Sequence, residues 1–226
     1  MIDIVCLKWG NKFGPEYVNN LYSSIQRNTT TPFRFHCFTE DSTDLLPDVI
    51  IQELPELGVD GWWNKIYLFN DKLPFEIGAP IMFIDLDTLI TGNIDHIINY
   101  NLKTMIGLEN FYRGTFASGL LIWRHGAMSL AWDTFARDPQ LQINQTTDGD
   151  QEYTAKFLPT ATEYFQDLFP NQIYSYKQSC SKGLPPEARI VCYHGTPSII
   201  ESYTTTVTNY DGVWGPQDWP LEHWRT

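Results

Sequence analysis

The chain has 226 residues, a length that fits one folded domain with a substantial buried core. Its formal net charge is −12 and it contains no run of Lys or Arg, which argues against a nucleic acid as a partner, because binding to a phosphate backbone needs a basic surface. An enzyme with this charge that handled phosphates would need a metal ion and a few well-placed cations to offset its own field.

The amino-terminal segment MIDIVCLKWG has neither a basic region nor a cleavage site of small residues, so we predict a strand there rather than a signal peptide. No apolar segment approaches the roughly 18 residues that span a bilayer. Cys6, Cys37, Cys180 and Cys192 form no CxxC motif, and we expect buried free thiols rather than zinc ligands. These features predict a cytoplasmic protein.

Strand-like and helical patterns alternate along the chain without an internal repeat. We predict strands at residues 2–7, 33–39, 49–54, 81–87, 104–108 and 189–193, and an apolar run at 117–123. We predict helices from Pro15 and at residues 62–70, 128–137 and 151–158. This alternation predicts an α/β fold, with one sheet covered by helices on both faces. Residues 1–201 form the predicted domain, and residues 202–226 form an irregular, aromatic-rich wrap of it.

Two carboxylates, Asp85 and Asp87, end the predicted strand at 81–87, with Leu86 between them. Residues two apart in an extended chain point to the same side, so we expect both carboxylates in one space and Leu86 in the core. Open α/β sheets bind ligands at the carboxyl ends of their strands. Two converging oxygen donors suit Mn²⁺ or Mg²⁺, which can bridge to phosphate oxygens. The alternative is a strand end with two solvated aspartates.

A histidine, His194, follows the last apolar run and precedes Gly195. Imidazole is a good ligand for Mn²⁺, and glycine allows the backbone to approach a ligand closely. The alternative is a structural histidine at a strand end. Together with the aspartates, this position favours a metal ligand.

Lys65 lies in the predicted helix that precedes the two aspartates, where it could act as a point charge on a phosphate or remain solvated. Its neighbours Trp62 and Trp63 could stack on a sugar or pack in the core. Ser118-Gly119 interrupts an apolar run, which indicates either a ligand close to the backbone or a bulge.

A small acidic cluster, Asp148, Asp150 and Glu152, marks a predicted helix start, and we assign Asp148 to the cap. Three late tryptophans could line an acceptor groove, or could simply pack against the surface of the domain. They are Trp214, Trp219 and Trp224.

Five stretches stand in the order and spacing found in GT-A nucleotide-sugar glycosyltransferases. They are IVCLKWGNKFGPEYVNNLYSSIQRN, MFIDLDTLITGNID, FASGLLIW, DGDQEY and YHG. The chain resembles most the family-8 branch, which includes glycogenin and bacterial lipooligosaccharide galactosyltransferases. The likeness covers about residues 1 to 200, and it implies a Rossmann-like, mixed and mainly parallel sheet in a single domain.

The resemblance also implies the contacts of the site. Asp85 and Asp87, as the DXD motif, and His194 match the residues that hold Mn²⁺, which grips the diphosphate of a UDP-sugar. Lys65 matches a basic residue that faces the diphosphate. The remaining donor-binding positions lie at the end of the first strand and beside these groups. They are Cys6, Leu7, Lys8, Leu86, Ser118, Gly119 and Gly195.

By the same resemblance, the protein transfers a hexose from the UDP-sugar to a saccharide or another hydroxyl acceptor, with retention. Asp150 and Gln151 match the Asp-Gln pair beside the reacting sugar carbon.

Two rival functions remain. The DLDTL sequence also resembles the signature of haloacid-dehalogenase-type phosphohydrolases, and a non-catalytic module for sugar nucleotides or glycans could use the same scaffold.

Overall fold

The computed structural model describes residues 1–226. The strands are β1 Ile2–Lys8, β2 Phe33–Thr39, β3 Ile50–Glu53, β4 Pro80–Ile84, β5 Thr88–Ile90, β6 Met105–Glu109, β7 Phe116–Arg124, β8 Thr162–Tyr164, β9 Ile173–Ser175, β10 Ile190–Cys192, β11 Val207–Asn209 and β12 Gly212–Trp214. The α-helices are α1 Pro15–Asn28, α2 Asp95–Ile98, α3 Ser129–Arg137, α4 Pro139–Asn144, α5 Asp150–Ala155, α6 Phe165–Leu168, α7 Glu201–Thr204 and α8 Trp219–His223. A 3₁₀ helix spans Gly61–Phe69, and a π-helical turn spans Tyr176–Cys180.

Seven strands form the central sheet, in the order β3-β2-β1-β4-β7-β6-β8. The pairings from β3 to β4 are parallel, β7 runs antiparallel to both of its neighbours, and β8 is parallel to β6. A smaller sheet has the order β5-β10-β9. This arrangement confirms the predicted α/β fold with a mixed, mainly parallel sheet.

Both faces of the central sheet are covered, which explains why residues 4–7 of β1 and 81–84 of β4 are continuous apolar runs rather than alternating ones. On one face, α1 buries Val18, Leu21 and Ile25 in the larger apolar cluster. On the other face, Trp63 of the 3₁₀ helix and Phe135 of α3 belong to a second cluster.

The order of the strands creates a crevice between β1 and β4. The chain places β2 and β3 on one side of β1 and β4 on the other, although β1 and β4 are parallel neighbours. A parallel sheet whose strand order reverses in this way binds ligands outside the carboxyl ends of the two strands. In this protein those ends are Lys8 and Ile84.

The two aspartates do not lie on an extended strand, contrary to the expectation from their spacing. β4 ends at Ile84, and Leu86 and Asp87 form a turn. The cause is that the chain changes sheets here, because β5 pairs antiparallel with β10 in the smaller sheet. The carbonyl of Asp87 accepts a hydrogen bond from the backbone N–H of Tyr193 at 2.8 Å, which fixes the turn. The predicted burial of Leu86 is confirmed.

The carboxyl-terminal stretch is more regular than predicted. It contains the hairpin β11–β12 and the helix α8. Trp214 and Trp224 are buried and belong to the larger apolar cluster, and Trp219 packs against it. These tryptophans therefore pack against the domain, and none of them lines the cleft at the carboxyl ends of β1 and β4. No helix of the protein combines the length and the apolar character that crossing a membrane requires.

Candidate active site

A cleft of about 390 Å³ opens at the carboxyl ends of β1 and β4. Ten of the thirteen predicted site residues line it, although they come from distant parts of the sequence. They are Leu7, Lys65, Asp85, Leu86, Asp87, Ser118, Gly119, Asp150, Gln151 and His194. The antiparallel strand β7 delivers Ser118 and Gly119, because the carbonyl of Gly119 accepts a hydrogen bond from the backbone N–H of Asp85 at 2.9 Å.

Three predicted residues lie outside this lining. Cys6 is fully buried in the sheet opposite Cys37 of β2. Lys8 points away from the cleft because side chains alternate along β1, and its Nζ donates to the carbonyl of Asp41 at 3.1 Å. Gly195 has a φ of +86° and lies in an exposed turn after His194.

Lys65 lies at the floor of the cleft in a buried ionic network. Its Nζ is 3.1 Å from Asp85 Oδ2 and 3.5 Å from Asp150 Oδ2, and its side chain is 10% exposed. Ser118 Oγ donates to Asp150 Oδ2 at 2.5 Å and lies 3.4 Å from Lys65 Nζ. Burial alone would lower the pKa of Lys65, but the carboxylates of Asp150 and Asp85 outweigh it and raise that pKa. The alternative of a solvated lysine is therefore wrong.

Asp85 pairs with the ammonium group of Lys65, but Asp87 has no such partner. No side chain donates a hydrogen bond to its carboxylate. Burial, and then the nearby charge of Asp85, raise the pKa of Asp87 to about 7. The open end of the cleft therefore presents a carboxylate whose ionised form would gain from a cation.

His194 lies in the same cleft but is turned toward another partner. Its Nε2 is 2.6 Å from Ser175 Oγ, and its ring stacks on Phe111 with 5.8 Å between centroids. Burial, and then the charge of Lys177, lower the pKa of His194 to about 4, so the imidazole is neutral. A neutral imidazole is the form that binds metals.

The donor set fits a divalent cation in part. Asp85 and Asp87 offer hard oxygen ligands beside an open space, and Asp87 lacks a partner. However, no group of three His, Cys, Asp or Glu side chains in the protein is placed to hold a metal ion. The structure thus brings Asp85, Asp87 and His194 to one cleft but not to one coordination sphere, and the three-ligand site stays a prediction.

Helix α5 presents two adjacent polar residues with different surroundings. Asp150 is buried and bound to Ser118 and Lys65, whereas the amide of Gln151 lines the cleft without a hydrogen-bond partner. Asp148 does not cap this helix, contrary to our prediction. The cap position is Gly149, with a φ of +75°, and Asp148 instead pairs with Arg113 at 2.9 Å.

Several aromatic residues of the cleft had no signal in the sequence. Phe111 and Tyr112 come from the connection between β6 and β7, and Trp9 comes from the connection after β1. The sequence left two environments open for Trp62 and Trp63, the cleft or the core, and the structure places one tryptophan in each. Trp63 stacks on Phe135 in the core, whereas Trp62 is 59% exposed and lines the cleft.

The strand order of the central sheet, and the cleft at the point where that order reverses, are consistent with the predicted GT-A fold. No protein-family model matches the sequence, and no curated protein sequence matches it. The likeness is therefore one of structure.

The glycosyltransferase GlyE of Streptococcus pneumoniae TIGR4 aligns with a TM-score of 0.71 and 12% identity over 99% of this chain and 60% of the GlyE chain. The galactosyltransferase LgtC, solved in complex with donor and acceptor sugar analogs, aligns with a TM-score of 0.61 and 14% identity. That alignment covers 87% of this chain and 88% of LgtC. At these identities the likeness establishes the fold, which confirms the predicted GT-A architecture resembling family 8. This chain spans about three fifths of the GlyE chain.

Proposed function

We propose that the protein is a metal-dependent glycosyltransferase. It moves a hexose from a nucleotide-diphosphate sugar, a UDP-sugar, to a hydroxyl group of a saccharide or another acceptor. The observation that supports this most is the cleft at the carboxyl ends of β1 and β4, which is lined by Asp85, Asp87, His194 and Gln151. The GT-A fold, shared with proteins whose described activity is sugar transfer, agrees with this proposal.

Asp85 and Asp87 would hold Mn²⁺ or Mg²⁺, with His194 as a third ligand. When bound, the ion would supply Lewis-acid neutralisation of the leaving diphosphate. The chain's own part is to present Asp87 without a competing donor and to keep His194 neutral. Lys65 and the hydroxyl of Ser118 position Asp85 and Asp150 from below.

The transfer proceeds with retention in our proposal. The side chain of Gln151 is an amide, which is a poor nucleophile and is not a base near neutral pH. Gln151 therefore acts neither as a covalent nucleophile nor as a general base. Its carbonyl oxygen can instead support positive charge at the anomeric carbon. The acceptor oxygen then bonds to that carbon on the face from which the diphosphate leaves, and the departing phosphate takes the acceptor's proton. Asp150 orients the sugar hydroxyls, and the exposed face of Trp62 suits packing against a sugar ring.

A panel of nucleotide-sugars tests the proposal. We expect slow hydrolysis of one UDP-sugar with Mn²⁺, transfer when an acceptor is added, and loss of both with a chelator. A phosphohydrolase would instead turn over simple phosphate esters, and a binding module would bind the nucleotide-sugar without consuming it. Proton NMR of the first-formed product from an α-linked donor tests retention, and a β-linked product would overturn that part.

A further inference from the structure

The cleft holds more negative than positive charge. Acidic side chains outnumber basic ones by two among its lining residues, which are Asp85, Asp87, Asp148 and Asp150 against Lys12 and Lys65. The protein as a whole carries a formal charge of −12. A diphosphate entering this cleft therefore needs every cation that the chain can bring to it.

Lys65 is not free to serve the ligand. Its ammonium group is held by Asp85 and Asp150 and by both oxygens of Ser118 at the cleft floor. Turning it toward a phosphate would leave the buried Asp150 and the partly exposed Asp85 without their counter-charge, which is costly.

The other cations around the cleft are also paired. Lys8 is bound to the carbonyl of Asp41 and lies 3.6 Å from its carboxylate. Arg113 pairs with Asp148 at 2.9 Å, and Lys177 pairs with Asp211 at 3.4 Å. None of these three lines the cleft.

Lys12 differs from all of these residues. It lies in the connection between β1 and α1, is exposed and lines the cleft. Its Nζ is 4.7 Å from the centroid of the Phe13 ring, and no carboxylate lies within ion-pair distance of it. An ammonium group without an ion-pair partner thus lines the cleft.

We infer that Lys12 binds the diphosphate of the nucleotide-sugar, as the cation that the chain supplies from the connection between β1 and α1. The inference rests on the proposed function and adds a binding residue to it. A lysine on a flexible stem acts as a point charge that can follow a phosphate group without fixed geometry. The face of Phe13 holds the ammonium group near its place in the absence of a ligand.

Isothermal titration calorimetry with UDP, UMP and uridine tests the inference, with Mn²⁺ and with a chelator. Lys12→Ala should weaken UDP binding by about tenfold and leave uridine binding within about twofold. Lys12→Arg should restore most of the UDP affinity. Lys72→Ala is the matched control, because Lys72 is exposed, lies outside the cleft and has no side-chain partner. Thermal unfolding of each variant verifies its fold. If ADP or GDP binds in place of UDP, the corresponding series is used.

The outcomes separate the two proposals. If the unchanged protein binds a nucleoside diphosphate and Lys12→Ala binds it equally well, the inference is overturned and the proposed function stands. Equal losses for the diphosphate and the free nucleoside would also overturn it, because Lys12 would then shape the nucleoside side of the cleft. If the unchanged protein binds none of UDP, ADP and GDP, the proposed function itself fails.

Discussion

Two buried ionic networks lie at opposite ends of the central sheet. At the amino ends of the strands, Asp3 of β1 accepts hydrogen bonds from Arg34 at 2.7 Å on each carboxylate oxygen and lies 2.8 Å from His36 Nε2. At the carboxyl ends, Asp85 and Asp150 share Lys65. Both networks bury carboxylates, but only the second opens into a cleft.

The two networks differ in how many of their carboxylate oxygens have partners within the protein. We call a network closed when every carboxylate oxygen has such a partner, and open when some do not. The Asp3 side chain is 5% exposed and has partners on both oxygens, so it has no capacity left for a ligand. The Asp85 side chain is 35% exposed, and Asp87 beside it has no side-chain donor at all. In the closed network one carboxylate has two partners and keeps one of them when the other is removed, whereas in the open network two carboxylates share the single cation Lys65, and the charge of Asp87 is left for a ligand to neutralise. The predictions below test this contrast.

Lys65→Met should produce the largest effect. It leaves the buried Asp150 and the partly exposed Asp85 without a cation, and we expect the free energy of unfolding to fall by about 3 kcal/mol. Arg34→Met is the matched control in the closed network. The Arg34 side chain is 45% exposed and Asp3 keeps His36, so the loss there should be about 1 kcal/mol. Urea unfolding measures both, and equal losses would contradict the contrast.

Asp87→Asn should lower transfer by about a hundredfold, because it removes one of the two proposed oxygen ligands of the metal. The same change should not destabilise the fold. Folding raises the pKa of Asp87 to about 7, so the ionised carboxylate opposes folding, and the amide removes this cost. Steady-state assays and thermal unfolding measure the two effects. A variant that lost both activity and stability would mean that Asp87 serves the fold.

Two residues of α5 sharpen the contrast within the cleft. Asp150→Asn should slow transfer by about 30-fold, because it weakens the link to Lys65 and loosens the donor. Gln151→Ala should slow transfer by about tenfold with little change in donor affinity, because its amide acts on the reacting centre and has no structural partner. Separate measurements of kcat and KM for each variant test whether Asp150→Asn costs more than Gln151→Ala and whether Gln151 affects kcat rather than KM. A large rise in KM for Gln151→Ala would show instead that the amide binds the ground state.

The smallest predicted effect concerns pH. Burial lowers the pKa of His36, so the folded state resists protonation, and this contribution to stability is lost as pH falls below about 6.5. Asp87 acts in the opposite direction, since its raised pKa lets the folded state gain stability as pH falls from about 7 toward 4. Thermal unfolding across pH should show a shallower acid loss for His36→Gln and a steeper one for Asp87→Asn than for the unchanged protein. If both variants lost stability with pH in parallel with the unchanged protein, the pKa directions given for His36 and Asp87 would be wrong.

The sequence predicted the sheet, its main strands and ten of the residues that line the cleft, because apolar runs and the residues that end them are local signals. The sequence did not predict the directions in which the side chains at the ends of the strands point. Lys8 and Leu7 are neighbours, yet only Leu7 lines the cleft. The turn at Asp87 depends on the pairing of β5 with β10, a hundred residues away in sequence, which spacing alone does not encode. Lys12 lies in a connection whose path is set by tertiary contacts, so its role had no sequence signal.

Anomalous diffraction at the manganese edge from crystals soaked with Mn²⁺ and UDP tests the central claim most directly. We expect a manganese peak bounded by the carboxylates of Asp85 and Asp87, with the UDP diphosphate bound beside it in the cleft. A cleft that binds UDP with no manganese peak at these aspartates would contradict the proposed metal site. UDP bound elsewhere on the protein would contradict the account as a whole.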